Sequence, residues 1–154
     1  EEIYIMGLLH DIGKIGVPDA VINKPDTLSE DEYEMIKKHP VMGAHILENI
    51  KEDPNLALGA KFHHERYDGK GYPEGLSGNE IAESAKIIAV ADAYDAMSSF
   101  RSYRSVLSQE KISEEIKKGR GSQFDPRYAD IMLEIISEDK DYTLREKQNE
   151  QQEE

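Results

Sequence analysis

Apolar residues recur along most of the chain at the three- and four-residue spacing that is typical of amphipathic helices. No alternation of apolar and polar residues is sustained beyond a few positions, so the pattern predicts no strands. The apolar run from Ile3 to Leu9 predicts a buried helix that is already under way at the first residue, because no capping residue precedes it. We therefore expect the sequence to begin inside a larger protein.

Glycines, prolines and capping residues divide the rest of the chain into further helices. Gly13, Gly16 and Pro18 interrupt the first helix. Ser29 and Glu32 have the spacing of a capping box, which predicts the start of another helix, and His39-Pro40 ends or bends it. The later predicted helices are Val41 to Leu47, Asp53 to about Glu65, Glu83 to Ser98, Ser108 to Gly119, and Asp125 to Ile136.

A long loop and a polar tail complete the organisation of the chain. Residues 66–78 hold four glycines and one proline, and a loop of thirteen residues inside a compact domain is usually functional or disordered. From Ser137 onward the only large apolar residues are Tyr142 and Leu144. The pattern thus predicts one all-α domain over residues 1–137, followed by a polar, acidic tail over residues 138–154.

The charge balance narrows the classes of partner. The 154 residues include 19 Lys and Arg against 32 Asp and Glu, a formal net charge of −13. A polymeric nucleic-acid partner is excluded on this ground, because such binders neutralise many phosphates with basic side chains, and direct docking on anionic membranes is disfavoured. No apolar run is long enough to span a bilayer, and the chain has no Cys. We expect a cytoplasmic domain, although the longer protein could be tethered to a membrane.

Two histidine motifs are the first candidates for chemistry. His10-Asp11 closes an apolar helix and is followed by Lys14, so helical geometry would place the three side chains on neighbouring faces. The simpler interpretation is a polar helix end in which Asp11 pairs with Lys14. His63-His64 ends another helix, where both imidazoles could turn toward a metal cluster or form a cationic pair favoured by the helix dipole.

Asp92 is the most informative single residue, because it lies in the otherwise apolar run from Ile87 to Ala93. A buried carboxylate without a partner is costly, and the only cation in the predicted helix from Glu83 to Ser98 is Lys86, at an unsuitable spacing for a local pair. We favour metal ligation or a distant partner. His39 before Pro40 is a weaker candidate that could be a simple cap, and His45 is interpreted as an ordinary histidine.

Two arginines add an anion-binding prospect. Arg101 and Arg104 lie three residues apart in a very acidic chain, which indicates either a phosphate site or structural salt bridges. Taken together, the candidate segments supply imidazole and carboxylate but no sulfur, a donor set that suits Fe, Mn or Zn in multinuclear sites. Such a site activates water toward phosphoryl centres, with Lys14 and the arginines neutralising charge. The residues alone therefore favour a metal-dependent phosphohydrolase.

Two long motifs make a family resemblance specific. The segment from Leu9 to Gly16, LHDIGKIG, and the segment from His63 to Pro73, HHERYDGKGYP, closely resemble the signatures of the HD-GYP family. That family is the metal-dependent branch of the HD phosphohydrolase superfamily that degrades bacterial cyclic di-GMP. The similarity covers the chain to about residue 137, and it continues through Asn23-Lys24-Pro25, His39-Pro40, Asp92–Asp95, Tyr103-Arg104 and Phe124-Asp125-Pro126.

The resemblance implies a fold and a metal site. It implies an all-α HD-domain helical bundle around a centre of two or three divalent transition-metal ions, with Fe or Mn expected first and Zn, Ni or Mg as alternatives. Asp11 is the expected bridge between two ions. Carried over position by position, the implied metal ligands are His10, Asp11, His39, His63, His64 and Asp92.

The resemblance also implies how substrate is bound and cleaved. Asp11 and Lys14 would be catalytic, with Lys14 beside the scissile phosphate. The implied substrate contacts are Lys14, Tyr72, Asp95, Arg101 and Arg104. The family hydrolyses cyclic di-GMP to linear pGpG and often to GMP, and some members prefer cyclic GMP-AMP. The implied protein partners are an N-terminal sensory or receiver domain and a GGDEF-domain or other protein that contacts the Gly-Tyr-Pro loop.

This sequence departs from the family pattern in two places. Family members carry helices upstream of the HD motif with a further His and, in trinuclear centres, a Glu, whereas only nine residues precede His10 here. The usual Asp-Arg-Pro-Tyr-Arg segment reads FRSYR over residues 100–104, which keeps both arginines and lacks the proline. Two alternatives to the enzyme are therefore a regulatory or protein-interaction module and another HD-type activity on a nucleotide or alarmone.

Overall fold

The computed structural model describes residues 2–51, 53–99, 106–141 and 143–144. Over these residues the protein is helical and has no β-strand, as the sequence predicts. The β-type pairings in this part of the chain are two isolated bridges. The α-helices are α1 (Glu2–Leu9), α2 (Asp19–Ile22), α3 (Glu30–Ile36), α4 (His39–Leu47), α5 (Asn55–Phe62), α6 (Glu83–Ser98), α7 (Gln109–Gly119) and α8 (Pro126–Glu138), and 3₁₀-helices span Ile12–Gly16 and Gly78–Glu80.

Several helix starts are set by local capping chemistry that the sequence shows directly. Ser29 and Glu32 form the predicted capping box before α3, with each side chain accepting a hydrogen bond from the other residue's backbone N–H. Ser108 accepts a hydrogen bond from the backbone N–H of Lys111 at the start of α7. Asp125 caps α8 by accepting from the N–H of Arg127 at 2.9 Å.

Helix α5 is shorter at both ends than the pattern predicts. It begins at Asn55, where Asp53 Oδ1 accepts a hydrogen bond from the backbone N–H at 3.1 Å. It ends at Phe62, and the N–H of Glu65 closes a tight turn onto the Phe62 carbonyl at 2.9 Å. The two adjacent histidines therefore lie on a turn, where the fixed angle between successive side chains of a helix does not apply to them.

Helix α6 contributes to three hydrophobic clusters, and two of them bury its central part, which explains its almost continuous apolar sequence. Ile88 packs in a cluster between α1, α4, α5 and α6, whereas Val90 packs in a second cluster between α6, α7 and α8. A helix that is buried on two sides has a narrow polar margin. Asp92 lies within this margin, on the helix that both clusters hold in place.

Gly13 lets the 3₁₀-helix Ile12–Gly16 pack directly against the backbone of α4. A Cβ atom at this position would lie 2.0 Å from the carbonyl oxygen of His39 and 2.4 Å from the backbone nitrogen of Gly43. No side chain fits at such distances, so only glycine permits this approach. The contact brings the segment that follows α1 against the first residue of α4.

The last helix ends at Glu138, close to the predicted domain boundary. Asp139 follows it, and its carboxylate accepts hydrogen bonds from the backbone N–H groups of Thr143 and Leu144. Residues 145–154 lie outside the described part of the chain. The division at residue 137 stays a prediction.

Candidate metal centre

Separate segments of the chain bring imidazole and carboxylate groups to one place. Asp11 follows α1, His39 is the first residue of α4, and His63 and His64 follow α5. One ligand atom from each of these four side chains lies within 4.8 Å of the others. His39 and His63 are fully buried at the side chain, and Asp11 is partly exposed.

Three of the histidines are held in the same way by the backbone of the helix that precedes them. Nδ1 lies 2.6 Å from the Gly7 carbonyl oxygen in His10, 2.7 Å from that of Ile36 in His39, and 2.8 Å from that of Ala60 in His63. A carbonyl oxygen only accepts hydrogen bonds, so each Nδ1 carries the proton. The opposite nitrogen, Nε2, is left with its lone pair directed into the site, which is the orientation that histidine ligands to metals adopt.

The freed nitrogens and the Asp11 carboxylate converge. His39 Nε2 lies 3.3 Å from His63 Nε2, and Asp11 Oδ1 lies 3.1 Å from the first and 3.8 Å from the second. Asp11 Oδ1 is buried and makes no hydrogen bond of good geometry with any described residue. Lone pairs and a carboxylate that face one another repel unless a cation lies between them.

His10 and Asp92 extend this cluster on the other side of the Asp11 carboxylate. His10 Nε2 lies 3.4 Å from Asp11 Oδ2 and 3.6 Å from Asp92 Oδ1, and it has no hydrogen-bond partner in the described residues. Burial would raise the pKa of the Asp92 carboxyl, but its contacts with His10 outweigh burial and lower the pKa. The long-range partner expected for Asp92 is thus His10.

The protonation states suit ligation. Burial, with the neighbouring imidazoles, lowers the pKa of His63 to about 3, and burial lowers the pKa of His64 to about 4. Both rings are therefore neutral near pH 7, so the alternative of a cationic pair at the helix end is wrong. Burial would raise the pKa of Asp11, but its contacts with His39 and Lys14 dominate and hold the pKa well below the usual range.

These observations fit a divalent transition metal. His63 and His64 offer neutral imidazole nitrogens, and Asp11 and Asp92 offer ionised carboxylates, which are the protonation states that metal binding requires. Burial would lower the pKa of His10, but its contacts with Asp92 and the Gly7 carbonyl outweigh burial and raise the pKa. The donors are nitrogen and oxygen, which suits Fe, Mn, Zn and Ni and does not single out one of them. Two buried atoms of this cluster have no hydrogen-bond partner among the described residues, His10 Nε2 and Asp11 Oδ1, and both face the centre of the cluster.

Two clefts adjoin the cluster and share part of its wall. One has a volume of about 480 Å³ and is lined in part by Arg66, Gln123 and Phe124. The other has a volume of about 640 Å³ and contains Lys14, whose ammonium pairs with Asp11. The residues common to both clefts are His64, Tyr72, Asp92 and Ala96.

Tyr72 lies over the site because the glycine-rich loop folds back on the end of α5. Its ring stacks on that of His64, with centroids 4.9 Å apart, and its N–H donates to the His64 carbonyl at 3.2 Å. A Cβ atom at Gly71 would lie 2.4 Å from the backbone nitrogen of Arg66, so the fold-back requires glycine there. Burial raises the pKa of the Tyr72 phenol, which keeps it protonated as a donor.

Glu65 is a buried residue to which the sequence analysis gave no role. Its Oε1 accepts hydrogen bonds from the backbone N–H groups of Glu74 at 2.7 Å and Gly75 at 3.1 Å. The carboxylate thereby holds the far end of the loop that carries Tyr72. Its place directly after two histidines was the available sequence signal.

The structure does not bring every predicted site residue to the cluster. Asp95 is exposed on α6 and accepts a hydrogen bond from Ser99 Oγ at 3.0 Å, and it does not line either of the two clefts. Its predicted substrate role stays a prediction. Arg101 and Arg104 lie outside the described residues. His45 is exposed on α4, as expected of an ordinary surface histidine.

The fold and the site define a helical protein with a buried histidine and aspartate cluster, and similarity to known proteins supplies its family. The profile of the family described as "HD domain" matches residues 1–128. A "Cyclic di-GMP phosphodiesterase" of Thermotoga maritima is 42% identical over 149 residues, which are 95% of this chain and 40% of that protein. A "3'3'-cGAMP-specific phosphodiesterase 2" of Vibrio cholerae is 38% identical over 130 residues, 82% of this chain and 24% of that protein.

The chain belongs to the HD domain family, and its predicted resemblance to the HD-GYP branch is confirmed. The solved structure of Bd1817, a HDG"Y"P protein from Bdellovibrio bacteriovorus, matches with a TM-score of 0.70 at 22% identity, over 88% of this chain and 43% of that chain. At that identity the match shows the fold alone. The chain spans less than half the length of the relatives it matches. Within the described residues, no helix has the length and apolarity needed to cross a membrane.

Proposed function

We propose that this domain hydrolyses the phosphodiester bonds of cyclic di-GMP, yielding pGpG, GMP or both, in a reaction that depends on bound metal ions. The observation that carries the proposal is the convergence of His39 Nε2, His63 Nε2 and Asp11 Oδ1 within 3.8 Å of one another, with no proton available between the nitrogens. Similarity to phosphodiesterases of cyclic dinucleotides supports the choice of reaction.

Asp11 is the residue that would connect two ions. Its Oδ1 faces His39 and His63, whereas its Oδ2 faces His10, so the two oxygens of one carboxylate address two groups of histidines. His39, His63 and His64 would hold one ion, and His10 with Asp92 would complete the position of a second. Iron or manganese are the metals that we propose first, with Zn, Ni and Mg as alternatives, and a third ion is a further possibility of the site. Elemental analysis of the purified protein measures both the identity and the number of the ions.

Bound divalent ions would supply Lewis-acid activation of water and neutralise phosphate charge. The chain itself supplies positioning and a cation. Lys14 lines the larger cleft beside Asp11, where its side chain is 42% exposed, so that its ammonium can turn from the carboxylate to a phosphate oxygen. There it would stabilise the negative charge that develops as the phosphodiester breaks, or assist departure of the sugar oxygen.

The two clefts suit a ligand with two nucleotide halves. A cyclic dinucleotide has one phosphodiester on each side of its ring, and the clefts meet at His64, Tyr72 and Asp92. One half of the ligand would lie in each cleft, with one phosphodiester at the metal centre. Tyr72 would donate a hydrogen bond from its protonated phenol, while Asp95, Arg101 and Arg104 are proposed as further substrate contacts.

The net negative charge is compatible with this substrate. The tail beyond residue 136 contributes seven acidic and three basic side chains that are remote in sequence from the site. Metal ions and Lys14 would make the local field positive in a chain whose net charge is −13. Without the ions, Asp11 and Asp92 should repel a phosphodiester, so binding of substrate should depend on metal.

The test is product chromatography on protein that has been loaded with metal and whose metal content has been measured. We expect linear pGpG or GMP from cyclic di-GMP, and no product after chelation. Parallel assays with 3'3'-cGAMP show whether the domain prefers cyclic di-GMP or this alternative substrate, after which a Vibrio cholerae relative is named. If metal-loaded, full-length protein turns over neither dinucleotide, the enzymatic proposal is wrong.

The second candidate function is a regulatory module that acts through a protein partner. Tyr72 and Pro73 also line a groove of about 700 Å³ on the outer side of the loop, which offers a surface beside the metal centre. A GGDEF-domain or other protein would bind there, and an N-terminal sensory or receiver domain would control the site. The domain would act in the cytoplasm under either function. Signalling that survives loss of metal binding in Asp11→Asn would favour the module.

A further inference from the structure

Three charged side chains are buried together outside the metal cluster. Glu65, Lys86 and Asp125 are 3%, 7% and 5% exposed, respectively. They come from the turn after α5, from α6 and from the cap of α8, so they connect three separate segments. All three line one internal cavity of about 10 Å³.

The Glu65 carboxylate is only half satisfied. Oε1 accepts two hydrogen bonds from the loop that carries Tyr72, at the N–H groups of Glu74 and Gly75. Oε2 is buried and has no hydrogen-bond partner among the described residues. A buried charged oxygen left in this condition costs more than the hydrogen bond itself would contribute, so a partner is expected.

Lys86 is a cation that lines the same cavity as this carboxylate. Its ammonium lies 3.4 Å from Asp125 Oδ2, and an ammonium has three N–H donors of which this contact occupies one. Lys86 and Glu65 do not form a direct ion pair within 4.0 Å, although both line the same cavity. The cavity volume is about that of one water probe, and Glu65, Lys86 and Asp125 bring polar groups to a wall that also contains Ile81, Ala89 and Phe124. The space and the polar partners that a buried water needs are therefore both present.

We propose that one buried water in this cavity accepts a hydrogen bond from Lys86 Nζ and donates one to Glu65 Oε2. The resulting chain of contacts runs from the loop backbone through Glu65, the water and Lys86 to Asp125. Lys86 is thereby a positioning residue: it fixes the loop that carries Tyr72 relative to α6 and α8. Through the water, the Lys86 ammonium gives the Glu65 carboxylate the compensating charge that its burial requires.

The geometry of α6 gives this contact a consequence for the site. Lys86 and Asp92 lie on one rigid helix, six residues apart, and Asp92 lines the same two clefts as Tyr72. Loss of the Lys86 ammonium would therefore loosen Tyr72 relative to Asp92 without removing a metal ligand. The catalytic part of this inference rests on the proposed function, whereas the buried water and the restrained loop do not.

The first experiment is amide hydrogen exchange at Glu74 and Gly75 in metal-loaded protein. Lys86→Met should speed exchange at these two amides about tenfold, which corresponds to the loss of one hydrogen bond's contribution. Lys86→Arg should restore it, because a guanidinium keeps both the charge and the donors. Lys111→Met is the matched control, since Lys111 is an exposed residue of α7 that pairs with Glu114. Equal exchange in Lys86→Met and Lys111→Met overturns the proposal.

The second experiment needs no variant and covers the case in which Lys86→Met does not fold. A high-resolution crystal structure of the wild-type chain should show a water within about 3 Å of both Glu65 Oε2 and Lys86 Nζ. A dry cavity, or a direct ion pair between these two side chains, overturns the proposal.

Activity provides a third, separate measurement. If the domain hydrolyses cyclic di-GMP, Lys86→Met should raise KM about tenfold and leave kcat and metal content within about twofold of the wild type. A fall in kcat together with loss of metal overturns the positioning role. If the wild type turns over no cyclic dinucleotide, the proposed function fails, and the exchange rates and the water still decide this inference.

Discussion

His39 Nε2 faces His63 Nε2 at 3.3 Å, although each ring already donates its Nδ1 proton to a backbone carbonyl. Two lone pairs at this distance, in side chains that solvent does not reach, repel each other, and a bound cation that both nitrogens ligate would relieve this repulsion. Tertiary packing holds the arrangement, because His39 begins α4 and His63 follows α5. The site is thus preorganised for metal before metal binds.

His63→Ala should therefore reduce metal binding. One imidazole of the facing pair is lost, and we expect metal affinity to fall by at least about tenfold, as is typical when a histidine ligand or its support is removed. Elemental analysis of the purified variant and titration with Mn²⁺ measure the change. His45→Ala is the control, because that side chain is 89% exposed and is not one of the side chains whose ligand atoms converge. A His63→Ala protein with wild-type metal content would contradict the assignment.

Gly13→Ala should disrupt the packing that brings Asp11 to His39. The new Cβ would meet the His39 carbonyl oxygen at 2.0 Å, and backbone atoms on both sides cannot yield as a flexible side chain would. We expect a loss of about 3 kcal/mol or more in the free energy of unfolding, measured by denaturant titration, together with loss of metal.

Gly7→Ala provides the matched control for this prediction. Gly7 lies within α1, and a Cβ atom there meets nothing within 4 Å. The substitution should stabilise the protein by about 0.5–1 kcal/mol, since alanine favours a helix more than glycine does. If the two alanine variants unfold alike, the close approach of the 3₁₀-helix to α4 is not a constraint on stability.

Elements that are determined by interactions between residues close in sequence could be predicted, whereas elements that are shaped by contacts distant in sequence could not. The bounds of α6 are those predicted from the sequence, and the start of α7 after Ser108 depends on a cap three residues away from its partner. The end of α5 was predicted about three residues too late. Its last turn is shaped by the loop that returns through Gly71, a contact that helical periodicity does not reveal.

The site shows the same division. Family motifs predicted which imidazoles and carboxylates to consider, and the structure brings Asp11, His39, His63 and His64 together. The choice of Nε2 as the free nitrogen depends on backbone carbonyls that accept from Nδ1, and sequence motifs do not reveal such contacts. Likewise, Lys86 was identified as the only cation near Asp92 in sequence, whereas its partner Asp125 lies 39 positions further along the chain.

Lys14→Met should impair chemistry more than metal binding. Lys14 Nζ is a cation beside Asp11 in the larger cleft, and removal of one group that stabilises developing charge lowers kcat about 100-fold. Metal content should stay within about twofold of the wild type, because lysine is not a ligand here. Steady-state kinetics on cyclic di-GMP and elemental analysis measure the two effects.

The control for Lys14→Met is Lys117→Met, which removes an exposed ammonium from the last turn of α7. It should leave kcat unchanged. Loss of metal from Lys14→Met in proportion to its loss of activity would show that the ammonium acts by keeping Asp11 in place, which contradicts a direct role at the phosphate.

The metal-free protein should become less stable as the pH falls below about 6.5. Burial lowers the pKa of His63 to about 3 in the folded state, whereas an unfolded histidine titrates near 6.5. Between these values the unfolded chain binds more protons, so the stability that is present above pH 6.5 is lost progressively toward pH 3, with a slope of up to about 1.4 kcal/mol per pH unit from this residue. Urea titrations of chelated protein at pH 7, 6 and 5 measure the slope.

His63→Gln should flatten this slope, and His45→Gln should not, because His45 is exposed in the folded state. An unchanged slope in His63→Gln would mean that His63 is not held neutral by burial.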